Sequence, residues 1–296
     1  MPGWFSENTP PRPPLGAPCL FQRGNVHLRY FRSGQGPQVL LLPGLARSPS
    51  DFNELVEFLC ARGFQTLALE GRGVGASRAP LRPRATLSDL AADVAAVAGD
   101  NGGRVHVIGR GLGGRVARTF AAEYPQMALS VVLIASGGKH APPRRGQLAW
   151  DAFVFSNLLL PRRWRWAAGD RLMCAPGHRL PDFMRYGLSL RALALQGPAA
   201  RRAMSLKHWQ GGNARILCIH GEQDRVAPLT NALELRDAFP DRVQLATIAQ
   251  AGHNVFFEHS ETVCALIGAF LEQISTGQPR GPCLAPGDST PFTVQP

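Results

Sequence analysis

Residues 104–123 read RVHVIGRGLGGRVARTFAAE, and this stretch predicts the centre of the fold. Val105–Ile108 is short, apolar and rich in β-branched residues, which is typical of a buried strand. Glycines follow at positions 109, 111, 113 and 114, and they permit a turn tight enough to lead directly into a helix that begins near Gly113. The pattern therefore predicts a strand, a sharp turn and a helix in immediate succession.

Strands and helices alternate on both sides of this unit. We predict an outer hairpin and five buried strands, over Cys19–Arg32, Val39–Leu42, Phe64–Leu69, Leu129–Ala135, Ile216–Ile219 and Val243–Ile248. Helices are predicted after Asp51 and over Leu87–Ala98, Leu233–Phe239 and Thr262–Ile274. Strands that alternate with helices at this spacing indicate an α/β protein with a mostly parallel sheet and helices on both faces.

The chain of 296 residues fits one sizeable globular unit with proline-rich ends. Residues 1–18 and 277–296 are predicted to be disordered tails, because proline is frequent there and apolar periodicity is weak. Residues 19–138 and 211–276 carry the alternating strands and helices of the core. Residues 139–210, which lie between these two parts, are predicted to be mainly helical.

Positive charge is concentrated in residues 139–210. The whole chain has a formal net charge of +11, and this segment holds 13 Lys and Arg against three Asp. Four of the five tryptophans, at positions 150, 164, 166 and 209, are interleaved with these arginines. Aromatic side chains favour a pocket for an apolar or aromatic small molecule, while arginines attract an anionic group, a membrane surface or, without specificity, nucleic acid. The alternative is a solvated helix face with extended basic side chains.

The sequence predicts a cytoplasmic protein without a metal or a bound cofactor. Its N-terminus has no charged start followed by an apolar stretch, and the chain has no run of 18 apolar residues, so neither a signal peptide nor a transmembrane segment is expected. The six cysteines form no C-x-x-C pair and are interpreted as reduced thiols. No group of His, Cys and carboxylate residues has the spacing of metal ligands.

Five landmarks, in this order and context, resemble the α/β-hydrolase superfamily over about residues 20–275. They are Pro43-Gly44-Leu45, the loop from Glu70 to Ser77, the turn at Gly111, Asp224 and His253. Hydrolases of this superfamily carry nucleophile, acid and histidine in that order along the chain. The resemblance implies an α/β-hydrolase fold, in which residues 139–210 take the place of the variable helical cap.

The same resemblance implies a site from which the nucleophile is missing. The superfamily's elbow reads G-x-S-x-G, and its middle position here is Gly111, which adopts a strained turn freely but has no hydroxyl. Asp224 would orient His253, and the backbone N–H groups of Leu45 and Leu112 would form an oxyanion hole. Loss of a triad serine costs about 10⁶ in turnover, so serine-esterase activity is expected to be absent or very weak.

Three interpretations of this site stay open at the level of sequence. In the first, His253 and Asp224 act as a general base toward water or a substrate proton. In the second, the protein is a pseudoenzyme that binds a small ligand or a partner. In the third, Ser136 or Ser48 supplies the nucleophile, although each is expected to bond nearby backbone. Trp150, Trp164 and Trp166, together with Ser136, are predicted to contact the substrate, whereas His208 and His220 are interpreted as structural.

A remote fourth interpretation is an NADP-binding protein. Gly109, Gly111 and Gly114 spell G-x-G-x-x-G after a strand, which is the dinucleotide fingerprint in its local context. The next predicted strand ends at Ser136 without the acidic residue that binds a ribose. Lys139 would therefore have to bind a 2′-phosphate instead.

Overall fold

The computed structural model describes residues 13–141, 145–157, 159–186, 189–202 and 204–276. Its strands are β1 (Ala17–Arg23), β2 (Val26–Ser33), β3 (Gln38–Leu42), β4 (Gln65–Leu69), β5 (Val105–Arg110), β6 (Ala128–Ile134), β7 (Arg215–Gly221) and β8 (Val243–Ile248). They form one sheet in the order β1-β2-β4-β3-β5-β6-β7-β8. The first two strands pair antiparallel, as do β2 and β4, and all other neighbours are parallel.

The helices in the described ranges cover both faces of the sheet. They are α1 (Asn53–Cys60), α2 (Leu87–Asp100), α3 (Leu112–Glu123), α4 (Gly146–Ser156), α5 (Arg162–Met173), α6 (Asp182–Tyr186), α7 (Leu190–Arg201), α8 (Leu206–Gln210), α9 (Thr230–Ala238), α10 (Val255–Glu258) and α11 (Ser260–Thr276). Apolar residues of α2, α3, α8 and α9 pack on one face, and those of α1, α10 and α11 pack on the other. The predicted sheet with helices on both faces is confirmed.

Local sequence explains why the core elements begin where they do. Every residue of β5 is buried, as expected of a strand covered on both faces, and it pairs with β3 on one side and β6 on the other. Helix α2 begins at a capping box, in which the Thr86 hydroxyl accepts the N–H of Asp89 at 3.2 Å and the Asp89 carboxylate accepts the N–H of Thr86 at 2.8 Å. The predicted boundaries of β5 and α2 differ from these by only two residues.

The inner boundary of the predicted N-terminal tail requires correction. Strand β1 begins at Ala17. Before it, Leu15 packs on the apolar layer that includes α1, and its backbone N–H donates to the Asn53 side chain at 3.2 Å. Residues 1–12 lie outside the described residues, as does the C-terminal tail predicted over 277–296.

Helices α4–α8 lie in the connection from β6 to β7, in the segment predicted to be a helical cap. We call residues 139–210 the cap segment. Its last helix, α8, places the buried Trp209 against the core side that contains α3. Helix α5 ends at Met173, whose carbonyl accepts the backbone N–H of Asn254 at 2.9 Å. The cap segment is thus tied both to the core and to the loop that follows β8.

Candidate functional site

The turn between β5 and α3 has the geometry that the glycines predict. Gly111 has φ 53° and ψ −112°, a conformation that strains any residue with a Cβ. The neighbouring glycines allow close packing: a Cβ on Gly113 would lie 2.0 Å from the carbonyl oxygen of Leu42, and one on Gly109 would lie 2.3 Å from Gly113. The turn is therefore held directly against the end of β3.

Asp224 and His253 meet beside this turn. Asp224 follows β7 and His253 follows β8, and the Nδ1 atom of His253 lies 2.9 Å from Asp224 Oδ2 and 3.2 Å from Oδ1. Asp224 Oδ1 also accepts the backbone N–H groups of Val226 and Ala227, each at 2.8 Å. Since an ionised carboxylate only accepts hydrogen bonds, Nδ1 carries the proton and Nε2 is left as the basic nitrogen.

The basic nitrogen of His253 points at Gly111. A Cβ built on Gly111 would lie 3.8 Å from His253 Nε2, with no other heavy atom nearer than this outside the adjacent residues. A side-chain oxygen carried by such a Cβ would come within hydrogen-bonding reach of Nε2, at about 3 Å. The structure thus brings together Gly111, Asp224 and His253 as the sequence predicts.

The Asp224 carboxylate is held ionised although it is buried. Burial alone would raise its pKa, but the charges and hydrogen bonds of His253 and His220 outweigh that effect and hold the pKa well below its usual range. His220 Nε2 lies 3.3 Å from Asp224 Oδ2 and 2.7 Å from the carbonyl of Ala227. Asp224 is therefore an ionised partner for His253 at neutral pH.

Arg110, which precedes Gly111, is a site residue that the sequence prediction missed. Its guanidinium is fully buried, donates to the side chain of Asn254 and lies 3.6 Å from Asp51, which also pairs with Arg47 at 2.6 Å. Burial lowers the pKa of Arg110 to about 10, and Asp51 opposes that shift. Arg110 remains charged at neutral pH and connects the turn to the residue after His253.

The two predicted oxyanion donors lie at neighbouring ends of β3 and β5. Leu112 is the first residue of α3, where backbone N–H groups have no partner within the helix. Leu45 follows Gly44, and a Cβ on Gly44 would lie 3.9 Å from the carbonyl oxygen of Arg110, so the loop after β3 runs against the turn. These positions are compatible with an oxyanion hole at Leu45 and Leu112, which stays a prediction.

The sequence matches the model of a known family. The sequence model of a family described as alpha/beta hydrolase fold matches residues 37–260, more than half of the chain. The chain belongs to the α/β-hydrolase fold family.

Named relatives of the chain in this family include hydrolases and esterases. It is 28% identical over 178 residues to the 2-hydroxymuconate semialdehyde hydrolase of Pseudomonas sp. strain CF600. The aligned region covers 56% of this chain and 62% of the hydrolase. It is 28% identical over 259 residues to the pimeloyl-(acyl-carrier protein) methyl ester esterase of Chromobacterium violaceum, covering 81% and 96% of the two chains. The esterase EaEST from Exiguobacterium antarcticum superposes with a TM-score of 0.74 at 16% identity, over 87% and 100% of the chains, which shows likeness of fold alone.

The serines considered as substitute nucleophiles are both engaged with neighbouring backbone or side chains. Ser136, after β6, donates weakly to the carbonyls of Gly111 and Gly137, each at 3.4 Å. Its Oγ would lie 2.5 Å from a Cβ on Gly114, which places it against α3. Ser48 caps the short 3₁₀ turn after β3 and accepts the N–H of Ser50 at 3.2 Å. Both hydroxyls have the local bonding role expected of a loop or cap serine.

A cavity, with about 470 Å³ of space that includes open solvent at its mouth, lies beside the predicted oxyanion donor Leu112 in this α/β-hydrolase fold. Its lining combines aliphatic side chains with the buried Gln196 of α7, with Arg47 and with the ion pair of Arg72 and Asp93. Gln196 accepts the N–H of Ala46 at 2.9 Å and donates to the carbonyl of Arg72 at 2.9 Å, so it fixes one wall. This cavity offers a mainly apolar volume beside the start of α3, and its lining does not include Gly111, Asp224 or His253.

The three tryptophans predicted to contact substrate do not line that cavity. Trp150 and Trp164 are 58% and 53% exposed, and Trp166 is half-buried. Their predicted contact with a substrate stays a prediction.

Hydrogen bonds connect the cap segment to the loop that carries His253. Glu258 Oε2 accepts the backbone N–H of Gly252 at 2.8 Å and that of Ala175 at 3.3 Å, which joins the two segments through one carboxylate. Asn254 also donates to the sulfur of Cys174 at 3.6 Å. The position of His253 therefore depends on the cap segment as well as on β8.

No observation adds support to a metal or to a dinucleotide. Among the residues that the structure describes, no three or more His, Cys, Asp or Glu side chains are grouped to hold a metal ion. Lys139, which a 2′-phosphate would require, lies 3.7 Å from Glu234 and 3.6 Å from the ring of Trp209. No helix in the described part of the chain has both the length and the apolar character needed to cross a bilayer.

Proposed function

We propose that the protein is a hydrolase-like enzyme for a small molecule, in which His253 acts as a general base without a covalent intermediate. The observation that carries this proposal is the orientation of the imidazole. Its Nδ1 is bonded to Asp224 at 2.9 Å, while its Nε2 faces the side-chain-free position at Gly111. An oriented base beside a space of about the size of a hydroxymethyl group is suited to accept a proton from water or from a substrate placed there.

For an ester substrate, the proposed reaction needs no group beyond water. Nε2 of His253 removes a proton from a water molecule as the water oxygen attacks the carbonyl carbon. The carbonyl π electrons move to its oxygen, which the N–H groups of Leu45 and Leu112 would stabilise. When the oxyanion collapses, the bond to the leaving oxygen breaks and the imidazolium returns its proton to that oxygen. Asp224 stabilises the imidazolium throughout.

The substrate class is proposed from the cavity and from the relatives. The cavity beside Gly44 and Leu112 is mostly apolar, which suits the hydrocarbon part of a small carbonyl compound. By name, one relative is a hydrolase of 2-hydroxymuconate semialdehyde and another an esterase of a pimeloyl methyl ester. Both names support hydrolysis of a small carbonyl compound, and the basic cap segment would favour an anionic one.

The alternative is a pseudoenzyme that binds a small ligand or a partner without turnover. The observation that favours it is the absence of any side chain at Gly111, the position at which members of this fold place a nucleophile. The apolar cavity would then serve for binding alone. The predicted cytoplasmic location is compatible with either proposal.

A panel of p-nitrophenyl esters of short carboxylic acids tests the proposal. Turnover by the natural chain is expected to disappear in His253→Ala and to persist in the matched control His27→Ala, whose histidine is exposed. A serine-directed fluorophosphonate should label neither protein. Labelling would indicate a substitute serine instead. Lack of turnover together with saturable binding of an ester analogue would establish the pseudoenzyme.

A further inference from the structure

The hairpin of α4 and α5 carries an exposed apolar surface. Among the described residues, eight large apolar side chains are strongly exposed, and four of them lie between positions 150 and 164. These are Trp150 (58% exposed), Phe153 (52%), Leu159 (94%) and Trp164 (53%). We call these four residues the tip surface. Such a concentration exceeds the scattered exposed residues that any soluble surface carries and marks an interaction site.

Helix α4 exposes two of its aromatic side chains to solvent. Asp151 and Val154 are buried on the inner face of the helix, while Trp150 and Phe153 lie one turn apart on the outer face. Their rings contact each other, with centroids 5.8 Å apart. The helix therefore has apolar character on its solvent side that its packing against α5 does not use.

Two exposed arginines adjoin the tip surface, and the acidic residues of the hairpin are engaged elsewhere. Arg162 and Arg163 are exposed at the start of α5. Asp151 is 1% exposed and pairs with Arg171 at 2.6 Å, and Asp170 accepts the N–H of Leu180 at 2.9 Å. The exposed end of the hairpin thus presents arginines and aromatic rings without a neighbouring exposed carboxylate of its own helices.

We propose that the tip surface docks onto an anionic lipid bilayer. Tryptophan and phenylalanine favour the boundary between headgroups and acyl chains, and adjacent arginines bind acidic headgroups. A second copy of this chain fits the surface less well, because a symmetric contact would bring the exposed arginines of both copies into one interface to which the hairpin contributes no exposed carboxylate. The surface is peripheral: it lies on the membrane and does not cross it.

Docking would connect the lipid to the candidate site through one helix. Helix α5 runs from the tip surface to Met173, whose carbonyl accepts the N–H of Asn254 beside His253. A substrate that partitions into lipid could then be delivered at the other end of the same helix. The inference goes beyond the proposed function, and it is tested without any measurement of turnover.

The test compares two variants that change charge equally. Leu159→Ser with Arg162→Glu and Arg163→Glu alters the tip surface, whereas Leu81→Ser with Arg82→Glu and Arg84→Glu makes the same substitutions in the exposed loop before α2. The full chain and both variants are sedimented with vesicles of phosphatidylcholine alone and of phosphatidylcholine mixed with phosphatidylglycerol. Circular dichroism confirms that each variant is folded, which is expected because every changed residue is exposed.

We expect the natural chain to bind the anionic vesicles and to bind phosphatidylcholine much more weakly. The tip variant should lose about fivefold in partitioning per arginine, and so at least about 25-fold for the pair. The loop variant should bind nearly as well as the natural chain. Brominated lipid should quench the tryptophan fluorescence of the natural chain and of the loop variant.

Three results would overturn the proposal. The first is absence of binding to anionic vesicles, and the second is equal weakening in both variants, which would show bulk charge alone. The third is a dimer in sedimentation velocity that only the tip variant loses, because that would identify a second copy as the occupant.

Discussion

Restoring a hydroxyl at position 111 should convert this site into one that forms a covalent adduct. In Gly111→Ser the new Cβ would lie 3.8 Å from His253 Nε2, which places Oγ at about 3 Å, within reach for proton transfer. The backbone already has the conformation in which a nucleophile would be presented, at φ 53° and ψ −112°. General-base assistance contributes roughly 10²- to 10⁴-fold, and loss of a triad serine costs about 10⁶. We therefore expect ester turnover to rise by at least about 10²-fold.

The matched control for this change is Gly111→Ala. Both substitutions place a Cβ at a positive φ, which costs about 1–3 kcal/mol, so both proteins should melt at lower temperature than the natural chain by a similar amount. Only the serine variant should be labelled by a fluorophosphonate and show a burst of p-nitrophenol. A further His253→Ala change should remove both signals.

One result would refute the geometry on which this prediction depends. If the folded serine variant were neither labelled nor faster than the alanine variant, then His253 Nε2 would not face position 111. In that case the proposal that Nε2 acts on water or substrate at this position would also fail.

Three further changes test other contacts of the site. Asp224→Asn should lower turnover by at least about 10²-fold because the imidazole loses its ionised partner. The pKa of Asp224 is lower in the folded protein than in the unfolded chain, so its carboxylate stabilises the fold above about pH 4 and that stabilisation is lost as the pH falls further. In thermal melts the melting temperature of the variant should therefore fall less steeply at acid pH than that of the natural chain. Glu258→Ala should lower the free energy of unfolding by about 1–3 kcal/mol in urea titrations, because two backbone N–H groups lose their acceptor, whereas the exposed control Glu261→Ala should not. Ser136→Ala should leave ester turnover unchanged, and a large loss would instead identify Ser136 as a participant.

The sequence was sufficient for the sheet and for the central pair of the site. A buried apolar run determines β5. The spacing of the glycines determines the turn at Gly111, because residues with a Cβ would be strained or would clash at these positions. Asp224 and His253 were predictable since each follows a strand at the same edge of a parallel sheet. These features depend on local pattern and on strand order, and both can be derived from the chain.

Contacts between distant elements could not be predicted in the same way. In the sequence, Arg110 belongs to a glycine-rich turn. No neighbouring residue in the sequence indicates that Asp51 and Asn254 contact its buried charge. The sequence interprets His220 as structural, and its position four residues before Asp224 is the one local signal of the contact between its ring and the carboxylate. The exposure of Trp150 could not be predicted, because helical periodicity alone does not tell which face of α4 the protein covers.

The most direct test of the central claim is the time course of the first turnover. With an ester that releases p-nitrophenol, rapid mixing of the natural chain should give linear release from the start, without a burst, and His253→Ala should abolish it. A burst equivalent to one product per chain, or linear release that persists without the imidazole, would contradict the account.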